Sequence, residues 1–146
     1  MNRYRLEELR VGQSEQFSMA VTEEKMRLFC EMSGDTSPIH MDDTAARKRG
    51  YSGRVAYGML SASLFSTLAG VYLPGENCLL HQVQATFAKP VYIGDVLTVT
   101  GTVQEINETF GQITVKVAVQ NQRGEKVTRG FFKAGVATPA ETGEGV

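Results

Sequence analysis

The spacing of apolar positions divides this chain into a helical first half and a strand-rich second half. Residues 1–12 read as an irregular arm whose Leu6, Leu9 and Val11 can dock on a core, closed by Gly12. Gln16–Val21 alternates loosely and predicts a first strand. Thr22 then offers an N-cap, with Glu23 and Glu24 in the first turn, where they suit the helix dipole. Met26, Phe29 and Met32, with Leu28 beside them, mark an apolar stripe, and Gly34 stands where a helix ends. A helix from Glu23 to Ser33 follows. Pro38 fixes its own φ and keeps Ser37 out of the α region, so Asp35–His40 is expected to be an extended turn. Asp42 or Asp43 can cap a short helix over Thr44–Arg49, ended by Gly50. Tyr51–Tyr57 reads as a loop. The next stretch, Gly58–Tyr72, is almost uncharged and apolar or small all round, which predicts a helix buried on every side. Met59, Leu64, Phe65 and Leu68 should then be almost fully buried, and Pro74-Gly75 stops the helix.

Beyond it the period changes. Cys78–Ala88, Val96–Val103, Gln112–Asn121 and Lys126–Val136 are rich in Val, Thr, Ile and Phe and are separated by turn residues, so they read as long antiparallel strands. One buried helix and about five strands suit an α+β fold, a sheet curled around a single helix with the first strand rejoining the later ones. That is the hot-dog architecture. Its open sheet edge predicts side-by-side pairing, as a homodimer or a higher homo-oligomer. Residues 1–138 are expected to form one domain, and the Gly/Glu-rich residues 139–146 a disordered tail.

Composition and charge exclude more than they reveal. A net charge of −1 leaves no basic footprint for nucleic acid. The polar residues after Met1 do not form a signal peptide, and no apolar run is long enough for a membrane span, so the cytoplasm is expected. Cys30 and Cys78 have no metal-ligand spacing and read as buried, reduced thiols. His81 falls on a strand and reads as a partner at the sheet surface or at a dimer seam.

The chemistry concentrates in Ser33-Gly34-Asp35-Thr36-Ser37-Pro38-Ile39-His40 and at the start of the central helix. A carboxylate beside an imidazole can hold one water between them. Asp35 can take its proton while His40 orients it and passes a proton on. Gly58 would present an unpaired N–H at the positive end of a helix dipole, where it can stabilise an enolate-like oxygen. Ser66, two turns on, would face the core or the site. Arg47, with Lys48 and Arg49, is either a solvated face or a landing site for phosphates.

With Tyr57-Gly58-Met59-Leu60, Ser63-Leu64-Phe65-Ser66 and Phe87–Asp95 added, this pattern resembles the MaoC-like dehydratases, the (R)-specific enoyl-CoA hydratases, over about residues 4–137. The resemblance implies a hot-dog fold and reversible syn addition of water to a trans-2-enoyl thioester in fatty acid metabolism. It also implies Asp35 and His40 as the catalytic dyad, the Gly58 amide at the thioester carbonyl, and Ser66 at the site. No metal or redox cofactor is implied; the substrate rides on CoA or an acyl carrier protein. Arg54 and Lys89, like Arg47, could meet a CoA phosphate. The chain departs from the family's usual Asn at Ser37 and usual His at Tyr57, and both positions are still expected among the substrate-binding residues. Two other readings are a hot-dog acyl-CoA thioesterase and a non-catalytic acyl-thioester binding module. Against the first, the carboxylate lies before the buried helix and not within it.

Overall fold

In the computed structural model, which describes residues 1–138, five antiparallel strands form one sheet. They are β1 (Ser14–Ala20), β2 (Cys78–Phe87), β3 (Val96–Asn107), β4 (Gln112–Gln120) and β5 (Lys126–Val136), in the order β1-β3-β4-β5-β2. The helices are α1 (Glu23–Ser33), α2 (Pro38–Met41), α3 (Asp43–Lys48) and α4 (Gly58–Thr67). A five-residue π-helical turn, Leu68–Tyr72, continues α4. The first strand does rejoin the later ones, pairing Ser14–Ala20 with Thr102–Val96. The expectation for residues 139–146 lies outside the described residues.

Alternation along β3 and β4 buries Leu97, Val99, Val103, Ile113, Val115, Val117 and Val119 on one face of the sheet. Phe65 and Leu68 bring the helix to that face. Gly101 permits the close approach, because a Cβ there would lie 2.7 Å from the Leu68 Cδ2 methyl. This is the hot-dog arrangement. No helix among the described residues is long and apolar enough to cross a membrane.

Several local expectations need correction. Met59 is 62% exposed, and Ser63 and Ser66 are exposed on the same line of α4, while Leu64, Phe65 and Leu68 are buried. The sheet of one chain wraps only part of the helix circumference, so one face stays open. Met32 (75%) and Leu28 (49%) are also exposed, so the α1 stripe narrows to Met26 with Phe29. In the arm Leu9 is buried, but Val11 is exposed. Cys30 and Cys78 are free thiols and half-buried. Asp35–His40 is not extended throughout: Pro38 sits at the first position of α2, where its fixed φ suits a helix start and its missing N–H costs nothing. The helix after it spans Asp43–Lys48, and Asp42 is the residue whose side chain caps it, accepting from Ala45 N at 2.9 Å.

Candidate active site

Asp35 is delivered by the end of α1. Thr22 caps the helix start, its Oγ1 accepting from Lys25 N at 3.2 Å. Gly34 ends the helix in the left-handed region (φ 73°), donating its N–H to Cys30 O at 2.8 Å. The next residue therefore leaves the helix at a set angle. The Asp35 carboxylate turns back on its own chain and accepts from Ser37 N at 2.9 Å. That amide, helped by the Ser37 hydroxyl and by the nearby His40, holds the carboxyl below its ordinary value.

His40 is held from the other side. Its Nδ1 lies 2.7 Å from Val55 O, so Nδ1 carries the proton that donates there, and Nε2 is left free. The α2 backbone is tied to the same short segment twice more. Val55 N donates to Ile39 O at 3.0 Å, and Arg54 Nε donates to His40 O at 2.8 Å. The Arg54 guanidinium also grips both oxygens of Glu23, at 2.8 and 3.0 Å. Arg54 thus clamps α2 to α1.

Tyr57 lies between Asp35 and His40. It is only 2% exposed; its hydroxyl donates to Asp35 O at 2.7 Å, and its ring lies 4.2 Å from the His40 ring and 4.7 Å from that of Phe29. Burial raises the phenol pKa to about 12, so it remains a donor. Tyr57 therefore braces the segments that carry Asp35 and His40.

One cavity of about 380 Å³ opens beside His40 and the N-terminus of α4. Gly58, Ser61, Phe87, Lys89 and Thr128 share its wall with His40. The Gly58 N–H finds no acceptor among the described residues. A Cβ on Gly58 would meet the Phe87 ring at 3.3 Å, so glycine keeps this helix end open. Of the other residues singled out from the sequence, Lys89 joins the cavity rim, with Nζ 2.7 Å from Glu125. Asp35, Ser37, Tyr57, Ser66, Arg47 and Arg54 are not on its wall. Among the described residues Arg47 Nε reaches only Ser52 O, at 3.4 Å, and Ser66 lies on the exposed line of α4. Ser61 and Thr128 escaped the sequence reading. Ser61 shares a helix face with Gly58 by its three-residue spacing, a signal that was available; Thr128 carried none, because only sheet pairing brings β5 to this place.

The sequence profile described as "MaoC like domain" matches residues 8–125. An (R)-specific enoyl-CoA hydratase of Rhodospirillum rubrum is 36% identical over 97 residues, which is 66% of this chain and 67% of the relative. The (R)-specific enoyl-CoA hydratase of Aeromonas caviae is 30% identical over 122 residues, 84% of this chain and 91% of the relative. Among solved structures, an unliganded R-hydratase of Pseudomonas aeruginosa superposes with a TM-score of 0.85 at 31% identity, covering 91% of this chain and 85% of that one.

Proposed function

This chain belongs to the MaoC-like domain family, and from that membership we propose how its own residues perform the family's chemistry. The protein is a hydro-lyase, an (R)-specific enoyl-thioester hydratase that also runs as a 3-hydroxyacyl-thioester dehydratase. In our reading a water sits between the Asp35 carboxylate and His40 Nε2. Asp35, kept ionised by Ser37, takes the proton as the water oxygen attacks C3 of the enoyl group. His40 Nε2 accepts from the water's other O–H and so orients it, and the proton taken by Asp35 is delivered to C2 on the same face, which returns the carboxylate to its ionised form. The thioester carbonyl accepts from Gly58 N–H, where the helix dipole favours the enolate oxygen; such a donor is commonly worth about 3 kcal/mol in the transition state. The thioester itself supplies the electron sink, so the residues need only move protons and steady an oxyanion.

The observation that carries this assignment is the joint anchoring of Asp35 and His40 by Tyr57, with His40 on the cavity that Gly58 opens. Hydration of crotonyl-CoA, followed by loss of enoyl absorbance, tests it. Wild type should turn over, and Asp35→Asn should fall at least about 100-fold with its melting temperature kept. Equal rates in the two would remove Asp35 from the mechanism. A thiol reagent added to the same assay would expose thioesterase activity as released CoA.

We also propose that the chain works as a homodimer. Among the described residues β2 is an edge strand paired only with β5, and it exposes Leu79 (56%), Leu80 (44%), Val83 (43%) and Phe87 (49%). An edge this long and apolar favours pairing with a second copy.

A further inference from the structure

Two hydroxyls are buried in the wall of the cavity without a partner. Ser61 is 2% exposed and Thr128 is 1% exposed. Neither side chain makes a hydrogen bond among the described residues. No buried side-chain oxygen there is cut off from both partner and open space, so both hydroxyls reach the cavity. They come from different elements, Ser61 from α4 and Thr128 from β5. The rim above them, Phe87 to Pro90, is exposed, whereas Val55, Ala56 and Val91 beside them are buried.

We infer that Ser61 and Thr128 form a subsite for the first amide of the thioester's carrier arm, the amide nearest the sulfur. The inference rests on the hydratase reading above. Water adds at C3, so C2 and C3 must face Asp35 and His40. Asp35 lies outside the cavity and His40 stands at its wall. With the carbonyl on Gly58 N–H, the acyl group leaves toward Asp35, and the sulfur side enters the cavity. Ser61 lies three residues along the helix from Gly58, about 4.5 Å at the helical rise, a distance matched by the few bonds between a thioester carbonyl and that amide. An amide needs one donor for its C=O and one acceptor for its N–H, and two hydroxyls supply both. A hydrocarbon chain in the same place would leave both hydroxyls unpaired, which argues against an acyl tail as the occupant. Beyond the subsite the arm passes Lys89, whose exposed pair with Glu125 can exchange for a phosphate.

The arm amide is common to CoA and to an acyl carrier protein, so small thioesters isolate it. Crotonyl-N-acetylcysteamine carries the amide, and S-ethyl thiocrotonate lacks it. Wild type should prefer the first by about tenfold or more in kcat/KM. Ser61→Ala and Thr128→Val should each lower the amide-bearing substrate several-fold more than the amide-free one. The same loss should appear with both crotonyl-CoA and crotonyl-carrier protein; a loss on only one carrier would assign the hydroxyls to that carrier's own chemistry and overturn the amide subsite. Equal losses on the two small thioesters, or a change that tracks acyl length and not the arm, would also overturn it while leaving the hydratase reading intact. A second measurement needs no turnover. In an NMR titration, butyryl-N-acetylcysteamine should shift the Ser61 and Thr128 amide signals of wild type, and S-ethyl thiobutyrate should shift them much less. Equal shifts would sink the subsite even if the protein hydrated nothing.

Discussion

The Tyr57 hydroxyl donates to the main-chain carbonyl of Asp35 at 2.7 Å, joining two residues 22 positions apart. The same ring lies against His40. One buried side chain thus sets the distance between a carboxylate that ends α1 and an imidazole on α2. Tyr57→Phe keeps the ring and its packing and removes only the bond. Initial-rate kinetics should show kcat lower by about tenfold with KM within about twofold, since the loss falls on alignment and not on binding. Thermal unfolding should report about 0.5–1.5 kcal/mol of lost stability. A variant that loses stability alone would reduce Tyr57 to a core residue.

Asp35 should titrate below its ordinary value of 3.8, because its charged form accepts from Ser37 N, then from the Ser37 hydroxyl, and faces His40. A depressed folded pKa means that the carboxylate is ionised above that value and loses its charge only as the pH falls through it. A ¹³C NMR titration of the Asp35 carboxyl reads the midpoint directly. Ser37→Ala should raise it only part of the way, since the amide, the larger cause, remains. A midpoint above 3.8 in wild type would contradict the hydrogen bonding described.

Arg54 separates two roles. If it clamps α2 through His40 O and Glu23, Arg54→Ala should lower kcat on crotonyl-CoA and on crotonyl-N-acetylcysteamine alike. If instead it meets a CoA phosphate, the loss should fall on KM for the CoA substrate alone. Parallel kinetics on the two substrates decide between them.

Phe65 is 1% exposed beneath the sheet. Phe65→Ala should cost about 3–5 kcal/mol in chemical denaturation, from lost burial and the cavity left behind. A cost under about 1 kcal/mol would mean that the helix is not enclosed as described.

The dimer proposal is tested at Val83, 43% exposed on edge strand β2. Val83→Arg should convert the species seen by light scattering from two copies to one, because a buried guanidinium without a partner opposes apolar pairing. A wild type that already runs as one copy would refute it.

Much of this molecule is local in origin and could be read along the chain. Thr22 and Gly34 bracket α1 through bonds to residues three and four positions away, so composition decided where Asp35 emerges. Alternation along Val96–Val103 and Gln112–Gln120 decided which faces of β3 and β4 are buried. That Asp35 and His40 come close to one another was legible from their spacing. Tertiary structure alone decided the rest. The brace role of Tyr57 depends on a bond across 22 residues, and Thr128 reaches the cavity only because β5 pairs with β2 and β4. Arg54 reads in the sequence as a contact for a CoA phosphate, and only folding brings Glu23 and His40 O to it. The open face of α4 at Met59, Ser63 and Ser66 was equally hidden, because an uncharged sequence specifies that a helix can be buried but not how far one sheet curls around it. Hydrogen bonds to near neighbours and residue periodicity are properties of a segment; which side chains meet across the fold is a property of the packed whole.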